Sequence, residues 1–171
     1  MLVIRNLGAM PKPAPFTRGP FLLVYALDQQ LSQLLAQRMA DSPLTPPDFA
    51  VTSALRLAQP CRPTELARIL GMRPTTLSNH LRRLGDRGLV RRRPDPYDGR
   101  AALIQLTAKG RRDTEACFPA FADAIVLFRK ALAEEGVDEG QVLEVLEAVG
   151  RALGAAVRAP DQHARRNRSG G

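Results

Sequence analysis

RPTELARILGMRPTTLSNHLRRLGDRGLVRRRPDPYDGRAALIQLTAKG, residues 62–110, carries helix, turn and strand signals in an order that decides the fold. Thr64 is placed to cap a short helix whose Leu66, Ile69 and Leu70 face inward, and Gly71 is placed to end it. A second helix is predicted over about 74–87, where Leu77, Leu81 and Leu84 form one narrow stripe at about 100° per residue. Opposite that stripe lie Thr75, Asn79 and Arg82, flanked by Thr76, Ser78 and Arg83, a face of hydrogen-bonding groups with no apolar anchor. Past Gly88, LVRRR reads as a strand, residues 101–106 as its partner and PDPYDG as the turn between them. Helix, turn, helix and an arginine-bearing hairpin make a winged helix-turn-helix, in which the second helix enters the DNA major groove.

Charge supports that reading. Residues 62–112 hold 13 Lys and Arg against 4 Asp and Glu, an excess of nine, while the whole 171-residue chain is +8, so the remainder sums to about −1. A solvated surface is the plainer reading of a high isoelectric point, but concentration of the excess in one third of the chain marks an electrostatic footprint for a polyanion. Arg91, Arg92 and Arg93 alternate across a strand, so they cannot all face one partner; Arg92 is taken as the phosphate contact.

Outward from this segment the pattern is helical. Leu23, Leu27, Leu31, Leu34 and Leu35 recur at steps of three and four over 20–40. Thr45 is placed to cap the next helix, with Pro46 and Pro47 in its first turn, running through Phe49, Val51, Leu55 and Leu57 to about 59. Thr107 starts a long helix with a seam of Phe118, Phe121, Ile125, Phe128 and Leu132, which Pro119 is expected to kink. A last helix, about 138–158, has Val142, Val145, Leu146, Val149, Leu153 and Val157 in register. The fold expected is mainly α with a small β-hairpin wing, flanked by a flexible proline-bearing arm at 1–19 and a disordered basic tail at 159–171.

The apolar run at 21–27 is far shorter than the roughly 20 residues that span a bilayer, and the N-terminus lacks the features of a signal peptide, so a cytoplasmic protein with no membrane partner is expected. Two cysteines, Cys61 and Cys117, make no disulfide framework and read as small buried residues.

The order Leu-x-x-Leu-x-x-x-Gly-Leu-Val at 81–90, Asp98-Gly99-Arg100, and Leu106-Thr107-Ala108-Lys109-Gly110 resembles the DNA-binding lobe of the MarR family of bacterial transcription regulators, and the resemblance extends over about 20–158. It implies a sequence-specific regulator, a repressor, working as a homodimer on a pseudo-palindromic operator of double-stranded DNA. The helices at 20–42 and 107–158 would form the dimerisation region around a winged lobe at 43–106, consistent with apolar stripes longer than one small lobe can cover. Carried over onto this chain, the base-reading candidates are Arg73, Thr75, Thr76, Ser78, Asn79, Arg82 and Arg83. In the wing, Asp98 would orient Arg100 toward the minor groove. Where many members carry a further arginine this chain has Tyr97 and Gly99. His80 holds a position that is usually apolar in the family and lies toward the core, so a structural role is expected. The family often binds aromatic or phenolic acids between the dimer helices and the lobe, where Tyr25, Phe49, Phe118 and Phe121 would line such a space or simply be core.

Other classes are weighed. A metal-sensing regulator of the ArsR type needs clustered thiolates or imidazoles, whereas Cys61, Cys117, His80 and His163 are scattered. A thiol-oxidation sensor would use Cys61 or Cys117 as a low-pKa thiolate. No catalytic motif is present, acids such as Glu134, Glu135, Glu144 and Glu147 read as solvated faces, and neither an enzyme nor a cofactor is expected. A winged helix that binds protein instead would lack the steep salt dependence of DNA binding.

Overall fold

The computed structural model describes residues 19–159. Among them are six helices and one hairpin: α1 (Pro20–Arg38), α2 (Pro46–Ala58), α3 (Pro63–Ile69), α4 (Pro74–Asp86), β1 (Val90–Asp95), β2 (Asp98–Leu106), α5 (Ala108–Glu134) and α6 (Glu139–Arg158). The mainly helical fold with a small hairpin is thus the observed one. The arm expected at 1–19 and the tail expected at 159–171 lie, apart from Gly19 and Ala159, outside the described residues. No helix among those residues is long and apolar enough to cross a membrane.

Prolines open four of the helices, each in the first turn, where a missing N–H leaves no bond unmade. Thr45 Oγ1 accepts from the Asp48 N–H at 3.4 Å and Thr107 Oγ1 from the Gly110 N–H at 3.0 Å, as the capping signals predict. Thr64 does not cap α3. Arg62 holds that position and Pro63 the first turn, because the ring of Pro63 fixes a helical φ one residue before the hydroxyl. Gly71 ends α3 with φ 62°, a conformation that a β-carbon disfavours.

The core gathers Leu44, Phe49, Val51 and Leu55, Leu66 of α3, the α4 stripe of Leu77, Leu81 and Leu84, then Leu89, Val90, Ile104 and Leu106 of the hairpin base. Each such side chain contributes roughly 2 kcal/mol of burial. Two expected core residues are exposed. Ile69 is 51% exposed, since Leu66 and Ala67 take the inward direction of a short helix and leave it turned away. Leu57 is 85% exposed because its phase on α2 is opposite that of Leu55.

The hairpin is antiparallel, in register from Val90 opposite Leu106 to Pro94 opposite Ala102, with an irregularity before Asp95 opposite Asp98. Strand β2 therefore begins three residues before the expected 101, and only Pro96 and Tyr97 make the turn. A third backbone segment joins it. The Cys61 N–H donates to the Ile104 carbonyl at 3.3 Å, the Ile104 N–H donates back to the Cys61 carbonyl at 2.9 Å, and Gln59 Oε1 accepts from the Leu106 N–H at 2.8 Å. The α2–α3 connection is thereby stitched to the base of the hairpin.

Helix α1 lies against α5 and α2, yet none of its residues is buried. The Leu23, Leu27 and Leu31 stripe is exposed, and only Leu34 and Leu35 are partly covered. Helix α6 likewise has no buried residue, although Val145, Leu146 and Val157 are apolar and exposed. Pro119 sits inside α5, which continues through it as one helix.

The start of α5 is bolted to the turn that follows α4. The Thr107 hydroxyl donates to the Gly88 carbonyl at 2.8 Å, the Thr107 N–H to the Leu89 carbonyl at 3.0 Å, and Lys109 Nζ to the Arg87 carbonyl at 3.0 Å. Gly110 packs so closely that a β-carbon there would collide with the Leu89 carbonyl oxygen. The Leu-Thr-Ala-Lys-Gly run is accordingly a junction motif. Gly110→Ala is expected to destabilise the chain by about 3 kcal/mol, since backbone rather than a movable side chain obstructs the methyl group; urea unfolding with no change in midpoint would refute this.

Candidate nucleic-acid interface

Helix α4 presents three flanks. By helical phase, Thr75 and Asn79 point away from the leucine stripe, Ser78 and Arg82 turn toward the hairpin, and Thr76, His80 and Arg83 turn toward α2. Thr75, Thr76, Ser78, Asn79, Arg82 and Arg83 are all exposed, and Arg73 is exposed at the N-cap. The Arg82 Nη2 donates to Asn79 Oδ1 at 3.1 Å, which orients the amide and couples the two side chains. With no acid in its first turn, the positive end of the α4 dipole is uncompensated by its own sequence.

Between α4 and the hairpin lies an open cleft of about 490 Å³. Ser78, Asn79 and Arg82 line its α4 side, Arg91 and Arg92 its β1 side, and Val90 and Ile104 lie among its apolar residues. Arg92 stands opposite Ile104 in the hairpin and is exposed. Arg91 is opposite Gln105, whose amide oxygen, turned toward the guanidinium, accepts from it.

The wing is held from below. Asp95 is 7% exposed, and its Oδ2 accepts from Arg62 Nε at 3.0 Å and Nη2 at 2.7 Å, while its Oδ1 accepts from the Tyr97 N–H at 3.0 Å. The Tyr97 N–H bond and the Arg62 contact hold the Asp95 carboxyl below the usual range. Asp98 is 3.4 Å from the same Arg62 guanidinium. Arg100 lies in β2, and its side chain is outside what the structure describes. Tyr97 projects from the turn, 96% exposed.

One acid invisible to the charge count organises the other flank. Asp48 is buried to 3% exposure near the start of α2. Its Oδ1 accepts from Arg83 Nη2 at 2.9 Å and from His80 Nδ1 at 2.9 Å, and its Oδ2 is 3.6 Å from Arg87 Nη1. An ionised carboxylate only accepts, so the His80 proton sits on Nδ1, and the short approach of Arg83 to that nitrogen follows from both converging on one oxygen. Arg87 also donates to the Pro43 carbonyl at 2.7 Å. Burial raises the Asp48 pKa, but the hydrogen bonds and charges of His80 and Arg83 outweigh it, leaving the group below its usual value. His80 thus has the structural place expected of it. Asp48 itself carried one signal in the sequence, an acid three residues after the Thr45 cap; its role toward α4 depends on tertiary position.

Phe49, Phe118 and Phe121 do come together. The Phe49 ring meets Phe118 edge-on at 5.4 Å between centroids and Phe121 at 5.1 Å, and Phe49 is 4% exposed. Tyr25 stands on α1, 62% exposed. Cys61 and Cys117 are buried, and burial pushes both thiols up, the reverse of an activated thiolate. Among the described residues no three His, Cys, Asp or Glu side chains gather as a metal site requires.

The MarR family model matches residues 42–101. The multiple antibiotic resistance protein MarR of Escherichia coli K12 is 32% identical over 95 residues, which cover 56% of this chain and 66% of that protein, just under two thirds of its length. A crystal structure of a mutant of the Escherichia coli protein complexed with operator DNA has TM-score 0.64 at 26% identity, covering 77% of this chain and 91% of that one. The transcriptional regulator HosA of Escherichia coli O111:H- is 36% identical over 95 residues, covering 53% of this chain and 70% of HosA. The PcaV transcriptional regulator of Streptomyces coelicolor, solved with its natural ligand, has TM-score 0.69 at 25% identity, covering 85% of this chain and 99% of PcaV.

The Asp48 cluster carries a stability prediction. A carboxyl whose folded pKa lies below its ordinary 3.8 stabilises the fold above that pH, and the contribution is lost as pH falls through the folded value. Asp48→Asn should therefore lower stability by about 2 kcal/mol at neutral pH and flatten the decline of unfolding free energy below about pH 4. Denaturant titrations of both proteins across pH 2–7 measure it; parallel curves would count against the ionised cluster.

Proposed function

The chain belongs to the MarR family of transcriptional regulators, and we propose on that premise that it is a sequence-specific repressor that binds double-stranded DNA. The observation that carries this reading is the exposed, apolar-free face of α4 beside a cleft edged by Arg82, Arg91 and Arg92. Thr, Ser and Asn side chains suit base edges and phosphates, arginine suits guanine, and the uncompensated start of α4 suits a phosphate. Arg73 at the N-cap and Thr75, Thr76, Ser78, Asn79 and Arg82 on α4 are the candidate contacts, whereas Arg83, also expected there, is engaged by Asp48. Arg92 and Arg100 are those on the hairpin, with Asp98 the candidate orienting group.

The working unit proposed is a homodimer on a pseudo-palindromic operator. Support comes from α1 and α6, whose apolar stripes are largely exposed among the described residues, and from Val126, Leu127 and Phe128 exposed on α5. Helices 20–42 and 107–158 are the proposed dimerisation region around the lobe at 43–106. A small organic ligand is proposed to modulate affinity, a reading supported by the ligand in the PcaV structure. Tyr25, Phe49, Phe118 and Phe121 are its candidate lining, with Phe49 the least accessible. The buried thiols favour this reading over oxidation sensing.

A mobility-shift titration against the DNA upstream of the chain's own gene tests the function, with retardation expected at low salt and steep loss as salt rises; no retardation at low salt overturns it. Asn79→Ala and Arg82→Ala should each weaken operator binding by roughly 1 to 3 kcal/mol and spare random duplex, whereas equal losses on both would identify phosphate contacts. Sedimentation equilibrium should return twice the chain mass. Leu146→Glu on α6 should shift the equilibrium toward monomer, and an unchanged dimer would place the interface elsewhere.

A further inference from the structure

We propose that Asp48 is a positioning residue for DNA reading, holding Arg83 along the α2 flank of α4 so that Arg83 tethers the helix instead of reading bases. This rests on the DNA-binding function proposed above. Its ground is that two of the seven α4 candidates, Thr76 and Arg83, turn to the α2 side, and that Arg83 is engaged there by a buried acid. His80, Arg83 and Arg87 fall at steps of three and four, so one edge of α4 delivers all three to the same carboxylate.

Two destinations compete for the Arg83 guanidinium. A DNA phosphate at the surface attracts it through a medium that salt screens. Asp48 holds it through a charge-assisted bond at 2.9 Å to a carboxylate 4% exposed, and leaving would strip a desolvated anion of a principal cation. The Asp48 bond wins. Because Arg83 is itself 55% exposed, its flexible stem has room to swing to a phosphate once that bond is removed. Asp48 thus withholds one cation per subunit from sequence-independent contact, which lowers affinity for random DNA without touching Asn79 or Arg82.

Fluorescence anisotropy on the full chain, with its upstream duplex and a scrambled duplex of equal length across a salt series, tests the idea for wild type, Asp48→Asn, Asp48→Glu, Arg83→Ala and the Asp48→Asn/Arg83→Ala double variant. Asp48→Asn should tighten the scrambled duplex about fivefold and steepen its salt dependence by about one phosphate per subunit. Asp48→Glu should restore both. Arg83→Ala should change either affinity by less than about threefold, and in its background Asp48→Asn should no longer tighten the scrambled duplex. A merely structural Asp48 would weaken upstream binding in both backgrounds and leave the scrambled salt slope alone, which overturns the proposal. A tenfold or greater loss of upstream affinity in Arg83→Ala alone, with scrambled binding intact, overturns it as well by making Arg83 a base reader, and this arm stands even if Asp48→Asn does not fold. Absence of binding by wild type to either duplex defeats the DNA-binding reading itself and this proposal with it.

Discussion

A carboxylate near the start of α2 fixes how α4 lies on the rest of the lobe. Asp48 is out of water, and a buried anion is tolerable only where hydrogen-bond donors and positive charge converge on it. His80, Arg83 and Arg87 supply that convergence from one edge of α4, while the stripe of Leu77, Leu81 and Leu84 anchors the adjacent face in the core. A helix held along two neighbouring faces cannot roll. Its remaining surface, with Thr75 and Asn79 outward and Ser78 and Arg82 toward the hairpin, is therefore presented at a set angle.

The hairpin is constrained on the same pattern. Arg62, from the cap of α3, grips Asp95 at the base of the turn, and the Cys61 and Ile104 backbones pair beneath it. Thr107, Lys109 and the close approach of Gly110 clamp the α4–β1 turn to the long helix α5. Acids in the lobe thus act as fasteners for basic elements. Some of the arginines that make the segment basic are engaged in holding it together, and the cations facing outward are fewer than the charge count suggests.

Much of this was legible in the sequence. Helix starts at Thr45 and Thr107, the stop at Gly71, the leucine stripe of α4 and the hairpin all followed from local chemistry, in which proline, glycine and hydroxyl side chains act within a few residues of themselves. The structure departs from local signals where a choice depends on neighbours. Thr64 lost its capping place to the residue before Pro63, Ile69 and Leu57 turned outward because other residues of their helices took the core, and β2 reached back to Asp98 because a two-residue turn closes the ladder.

The division has a physical cause. Periodicity, capping and charge are properties of adjacent residues, so the sequence by itself determined the element order, the polar face of α4 and the basic character of the segment. Which cation meets which anion is settled between residues tens of positions apart, as with Asp48 and Arg83 or Arg62 and Asp95. Only the packed structure decided that His80 and Arg83 belong to a buried acid, that Arg62 belongs to the wing, and that α1 and α6 leave apolar surface exposed among the described residues. Those pairings depend on desolvation, and desolvation exists only once the chain has folded.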